Sequence, residues 1–286
     1  LGSDVYNSEY RIVTRSGEIR WVDERTFIQR DGKGGIHLQG IILDITEHKK
    51  AEEALLQLEE IHKKEIHHRI KNNLQVISTL LYLESGNFSD RKVMEAFKDS
   101  QHRVKSMALV HEKLYQSEDM VSVDFADYIQ NLANYLFGAY SVGSANISLK
   151  LDVDNVFLGM DTAVPVGIII NELVSNSLKH AFSKGENGEI SINLKKEEEK
   201  ADGNLEINAV KATGSNIGIP GKYFLLVVRD NGKGFPKEID FMETESLGLQ
   251  LVVSLVDQVE GSIELNADRG TEFRIRFREL KYRQKL

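Results

Sequence analysis

Two groups of residues in this chain have types and spacings suited to chemistry. The first is the segment HHRIKNNLQVISTLL at 67–81, where two adjacent histidines lead an amphipathic run. A neutral imidazole is nucleophilic near pH 7 and its phosphoramidate is a good donor, so a histidine here suits phosphoryl relay. At about 100° per residue of helix, Ile66, Ile70, Leu74, Ile77 and Leu81 fall within roughly 80° of arc and form the expected buried stripe. On that projection His68 points roughly 160° from the stripe's centre and His67 about 60°, with Asn72 and Gln75 within about 40° of His68. His68 is therefore the expected exposed imidazole. Arg69 and Lys71 suit an approaching phosphate or are surface charge, and the two histidines alone are also readable as ordinary polar residues on a charged helix.

The second group is spread over the last third of the chain. Asp230-Asn231-Gly232-Lys233-Gly234 follows the apolar run YFLLVV, which places a carboxylate and two glycines at a strand's end. There the backbone can approach a planar ligand closely and the carboxylate can accept a hydrogen bond from an adenine amino group, although a plain hairpin turn also explains the motif. Upstream, NELVSNSLKHAF puts Glu172, Asn176 and Lys179 or His180 on successive turns of an apolar helix. Polar groups so placed need partners, and a magnesium ion with a triphosphate supplies them; the polar edge of an amphipathic helix is the alternative. Downstream, Ser246-Leu247-Gly248-Leu249 opens a helix whose N-terminus can receive phosphates, and Gly270-Thr271-Glu272-Phe273 starts a final strand.

The elements that must position these groups follow from pattern. The three prolines, Pro165, Pro220 and Pro236, leave residues 47–140 free for long helices. YRIVT, IRWVDERTFIQR and IHLQGIILDI, separated by RSGE and DGKGG, read as three strands with tight turns, a poor core on their own. Residues 47–84 read as one long helix, SGNFSD at 85–90 as a turn with Ser89 or Asp90 as N-cap, and the next stretch to Gln116 as a second helix. The pair is a helical hairpin that would become a four-helix bundle in a dimer, because the stripe of the first helix needs more cover than one hairpin gives. Beyond the SEDMVSVD linker, helices are expected near 124–139, 161–182 and 247–259. Strands are expected at 146–153, 189–196, 222–230, 261–266 and 271–278, giving an α/β sandwich over a mixed sheet. KKEEEKADGN at 195–204 reads as a solvated loop.

Composition narrows the field. A chain of 286 residues, 41% hydrophobic, holds material for two or three cored units. Its 36 Lys and Arg against 44 Asp and Glu give a formal net charge of −8, which argues against a nucleic-acid partner. The absence of cysteine excludes a disulfide framework, a thiolate zinc site and a cysteine nucleophile. No apolar run reaches the roughly 18 residues needed to span a bilayer. A chain starting at Leu1 is expected to be a cytoplasmic piece of a longer protein that could be membrane-attached.

In order, the Asn-bearing helix, Asp-x-Gly-x-Gly, the Gly-Leu helix start and the Gly-Thr-x-Phe strand resemble the ATP-binding Bergerat (GHKL) fold of histidine kinases, gyrase and the heat-shock chaperone ATPases. HHRIKNNLQ resembles the acceptor box of the sensor histidine kinase subfamily in which the phosphorylated His is followed by Arg-x-Lys-Asn. Asp44-Ile45-Thr46 is similar to the triplet that closes a PAS domain, here with an incomplete ligand pocket. The resemblance implies a multidomain α+β chain: part of a PAS sheet over 1–46, a dimerisation and phosphoacceptor hairpin over 47–120, and an ATP-binding domain over 121–286. It further implies ATP and Mg2+ as cofactors, a homodimer, and a response regulator whose aspartate receives the phosphoryl group. Carried over residue by residue, His68 is the phosphoacceptor, Asn176 the magnesium ligand, and Lys179 a phosphate contact with a part in catalysis. Asp230 binds the adenine amine, Gly232 and Gly234 shape its pocket, and Thr271 reaches adenine through water. Gly248 lies under the phosphates with Leu249 and His180 nearby, and 235–246 form a lid.

Two positions depart from the pattern. Arg69 stands where many histidine kinases carry an acidic residue, so the general base is open and Glu172 is the candidate. Ser246 stands where a glycine is common. The same boxes would also serve an ATPase using Glu172 to activate water, and a scaffold without catalysis is the third reading.

Overall fold

The protein is described by a computed structural model that covers residues 4–30, 36–117, 121–140, 146–183, 185–197, 223–236, 238–244 and 246–280. It divides into two compact units, residues 1–66 and 67–286.

The first unit holds an antiparallel sheet of β1 (Asp4–Val13), β2 (Ile19–Arg30) and β3 (Ile36–Asp44), in the order β1-β2-β3. Gly17, at φ +85°, makes the first turn; DGKGG at 31–35 lies outside the described residues. The sheet has little core: Val22 is its buried hydrophobic residue among those described. At the sheet's end Asp44 accepts from Thr46 N at 3.0 Å, and Thr46 Oγ1 in turn accepts from Trp21 N at 2.9 Å. That triplet therefore stops β3 and starts α1 (Thr46–Ser85) in one move.

The second unit begins within α1. The helix turns back at 86–90 into α2 (Arg91–Gln116), with Asp90 as N-cap accepting from Lys92 N and Val93 N. β4 (Ser122–Asp124) and α3 (Phe125–Tyr140) follow, then β5 (Asn146–Val153), β6 (Phe157–Gly159) and α4 (Met160–Asn176). α4 widens into a π turn at Ser177–Ala181 before β7 (Asn187–Glu197), β8 (Tyr223–Asp230), α5 (Leu247–Gln258), β9 (Ser262–Asn266) and β10 (Thr271–Arg278). The main sheet runs β5-β7-β8-β10-β9, with β5 and β7 parallel and the rest antiparallel, which is the expected mixed sheet.

One face of this sheet is apolar. Ile192 and Leu194 of β7, Phe224, Leu226 and Val228 of β8, and Phe273, Ile275 and Phe277 of β10 pack under α3, α4 and α5 in one core. Val110 and Leu114 of α2 enter the same core, so the second hairpin helix is anchored by hydrophobic burial. Ser106 of α2 meets the fully buried Tyr128 hydroxyl of α3 at 2.8 Å, which satisfies both groups.

Three expectations need correction. β4 and β6 form a two-stranded ribbon, too short to register as period-two alternation. Residues 195–197 continue β7 rather than opening a loop, with Lys195 paired to Asp152 and Asp154; the rest of KKEEEKADGN lies outside the described residues. The covered side of α1 is also rotated from the expected stripe. In the second unit it comprises His67, Ile70, Lys71, Leu74, Ser78 and Leu81, whereas Ile77 is 44% exposed. Among the described residues no helix is long and apolar enough to cross a membrane.

Candidate functional site

The end of β8, the π turn, Phe235, Pro236, Ile239, Thr244 and Ser246, and the start of α5 line a cavity of about 340 Å³. Asn176, His180, Asp230, Gly234, Leu249 and Thr271 all line it, so six of the expected binding residues meet in one place. Phe235, Pro236 and Ile239 supply an apolar side, and Lys233 and Ser177 add polar groups that the sequence reading had not singled out.

Asp230 organises one end. Its side chain, 2% exposed, is held by Ser177 Oγ donating to Oδ2 at 2.7 Å and by Gly232 N and Thr271 N donating to Oδ1 at 3.0 and 3.1 Å. A buried carboxylate held by three donors is a fixed acceptor, and Oδ2 keeps a lone pair for a ligand N–H. The glycines are needed because backbones meet here. A Cβ on Gly232 would stand 2.2 Å from Ala181 O, and one on Gly270 2.0 Å from Asp230 O. Lys233 N donates to Ala181 O at 2.9 Å, tying the Asp-x-Gly-x-Gly loop to the π turn.

That π turn changes the expected helical phase. An extra residue in the turn shifts everything after Asn176, so His180 lines the cavity while Lys179 turns to α2 and pairs with Asp99. Desolvation, with help from the Lys179 and Lys233 charges, lowers the His180 pKa.

Glu172 is engaged as well. Its oxygens accept from Arg103 Nε and Nη2, both at 2.8 Å, and Oε1 accepts a further bond from Asn171 Nδ2 at 3.0 Å. A Cβ on Gly248 would come within 2.6 Å of Glu172 Oε2, so this ion pair sits against the start of α5. Gly248, Glu172, Lys179 and Gly232 flank the cavity rather than line it. Asp99 and Arg103 were missed because their partners lie 80 and 69 residues away. The one signal was their order, acid then base at i and i+4, complementary to Glu172 and Lys179 on an antiparallel helix.

His68 is exposed and lies outside the cavity, on the hairpin. Its ring packs on Tyr115, with centroids 4.2 Å apart. His67 faces α2, its Nδ1 at 3.4 Å from His111 Nδ1, and Lys71 pairs with Glu112 at 2.8 Å. Measured from the covered side actually formed, His68 stands about 110° round the helix, at the flank of the seam where Tyr115 can reach it. Among the described residues no group of three His, Cys, Asp or Glu could hold a metal. Asn176 brings an amide oxygen to the cavity, a donor type that suits a hard divalent ion completed by water and a ligand's phosphates.

Comparison with known proteins agrees with this geometry. Residues 65–140 match the family described as "Histidine kinase", residues 162–281 the family "Histidine kinase-, DNA gyrase B-, and HSP90-like ATPase", and residues 1–42 the "PAS fold". A sensor histidine kinase, PdtaS, of Mycobacterium tuberculosis is 31% identical over 239 residues, covering 82% of this chain and 43% of that protein. The blue-light-activated histidine kinase 2 of Erythrobacter litoralis is 27% identical over 212 residues, covering 72% and 53%. The chain thus spans about half or less of the curated relatives it matches. In fold it is similar to the solved Erythrobacter litoralis EL346 blue-light activated histidine kinase, with a TM-score of 0.51 at 20% identity over 96% of this chain and 75% of that one. With three family matches in chain order and a sensor histidine kinase 31% identical over 82% of the chain, this protein belongs to the sensor histidine kinases.

Proposed function

We propose that this chain autophosphorylates His68 from Mg-ATP and passes the phosphoryl group to an aspartate of a response regulator. The observation that carries the reading is the cavity on which Asn176, Asp230, Gly234 and Thr271 converge, in a chain that also exposes His68 on a hairpin helix. The domains are then 1–46 for the PAS part, 47–120 for the acceptor hairpin and 121–286 for ATP binding, all acting in the cytoplasm.

In this reading Asp230 Oδ2 accepts from the adenine amino group, and Thr271 reaches the base through water. Gly232 and Gly234 let the backbone approach the ring, while Phe235, Pro236 and Ile239 cover its face. Asn176 holds magnesium, which neutralises phosphate charge when bound. Lys179 reaches the phosphates once it leaves Asp99, with Gly248, Leu249 and His180 beside them, and 235–246 closes as the lid. Catalysis is then mainly positioning: the His68 ring nitrogen attacks the γ-phosphorus as the bond to the bridging oxygen breaks, and ADP leaves with the electron pair. Glu172, the candidate proton acceptor, is tied to Arg103, so while that pair holds, the neutral imidazole nitrogen attacks unaided.

A homodimer through α1 completes the assembly. No described residue of α1 is fully buried, and Val76, Ile77, Leu80 and Leu83 are all exposed, a row one hairpin leaves uncovered. The test is incubation with γ-labelled ATP and magnesium. The expected product is a protein-bound label stable in base and lost in acid; release of inorganic phosphate with no labelled protein contradicts the reading.

A further inference from the structure

We propose that Arg103 decides whether the phosphoryl group of ATP can be lost to water, because it withholds the carboxylate of Glu172 from acting as a base. The inference rests on the ATP-dependent histidine kinase reading above. Arg103 belongs to the hairpin helix α2, yet its guanidinium takes both oxygens of Glu172 in two parallel 2.8 Å bonds. The side chains are only 13% and 6% exposed, so solvent screens the pair little. Bidentate charge-assisted bonds of this kind are among the strongest a carboxylate makes, and Asn171 adds a third donor.

The position of the pair gives it consequence. Glu172 lies one helical turn before Asn176 and against Gly248 at the start of α5, flanking the cavity on the side where the reading above puts the phosphates. A free carboxylate there would take a proton from water. The water oxygen would bond to the γ-phosphorus, its proton would pass to Glu172, and the bond from the γ-phosphorus to the bridging oxygen would break. ADP would leave with that electron pair, giving ADP and inorganic phosphate. With both oxygens engaged by Arg103, taking the proton would require breaking the pair, and the same phosphorus waits for the His68 nitrogen. The hairpin that carries the acceptor thus also carries the group that suppresses the competing reaction. Arg103 is a positioning residue: it acts through Glu172.

The experiment uses the full chain in a His68→Gln background, where transfer to the acceptor is absent and phosphate release reports hydrolysis alone. Adding Arg103→Ala is expected to raise release by about a hundredfold or more, the ordinary reach of a positioned general base. Adding Glu172→Gln to that pair is expected to return release to the level of His68→Gln alone, an effect a merely structural role for Arg103 would not produce. A double variant that binds Mg-ATP but hydrolyses no faster overturns the proposal, as does a triple variant as fast as the double. Should Arg103→Ala fail to fold, Arg103→Lys keeps the charge but loses the two-pronged hold; an unchanged rate there is equally fatal. Failure of the kinase reading is read separately, as label that persists on the His68→Gln protein.

Discussion

The imidazole of His68 lies against the ring of Tyr115, with centroids 4.2 Å apart and planes inclined at 60°, while its neighbour His67 turns away to His111. Two adjacent histidines are thus sorted by two residues of the opposite hairpin helix. One is kept at the surface with its ring orientation constrained, and the other is withdrawn into the seam.

Tyr115 is therefore expected to position the acceptor. Tyr115→Ala should lower the rate of phosphohistidine formation by about twofold to tenfold, the range an aromatic pair is worth. Tyr115→Phe, which keeps the ring, should restore it without a change in the KM for ATP. Equal rates in all three proteins would remove Tyr115 from the account.

The seam should respond to pH. Burial lowers the pKa of His67 and of His111 from the ordinary 6.5, and His67 lowers that of His111 further. Below 6.5 the unfolded chain takes up protons that the folded seam resists, so stability from this region is full above 6.5 and is lost as pH falls toward the depressed folded values. His102 and His180 shift in the same direction, mainly through burial. Thermal midpoints at pH 7.5 and 5.5 should show a drop in the wild type that is smaller in a His67→Gln/His111→Gln variant. An equal drop in both would place the acid sensitivity elsewhere.

Asp230→Asn is expected to weaken ATP binding by about tenfold to a hundredfold, the worth of one charge-assisted bond. The substituted amide would also set a donor against Ser177 Oγ, Gly232 N or Thr271 N, all of which now donate to the carboxylate. Calorimetric titration with ATP measures the change; unaltered affinity would exclude Asp230 from the adenine end.

Much of this site was legible before the fold. The run YFLLVV just before Asp230 and the glycines after it placed β8 and its loop correctly, because an apolar strand followed by glycines leaves few alternatives. The long helices and a cap at Ser89 or Asp90 were equally readable, being local, and the fold chose Asp90. What escaped depends on distance or on broken periodicity. The π turn at Ser177–Ala181 sends Lys179 to Asp99, which a 3.6-residue period cannot anticipate. Arg103 meets Glu172 only because α2 packs against α4, and Ile77 is exposed because the seam of α1 formed about 50° away from the expected apolar arc.

That uncovered row gives a prediction of its own. Ile77 and Leu80 stand 44% and 56% exposed on α1. In a second copy of the chain they would meet their equivalents, so Ile77→Glu/Leu80→Glu should convert a dimer to a monomer in sedimentation while leaving ATP binding intact. A wild-type chain that sediments as a monomer would refute the α1 interface.

The most direct test of the central claim is the labelling of three proteins, wild type, His67→Gln and His68→Gln, with γ-labelled ATP and magnesium. The account predicts acid-labile, base-stable label on the wild type and on His67→Gln, and none on His68→Gln. Label that persists on His68→Gln and vanishes from His67→Gln would contradict it.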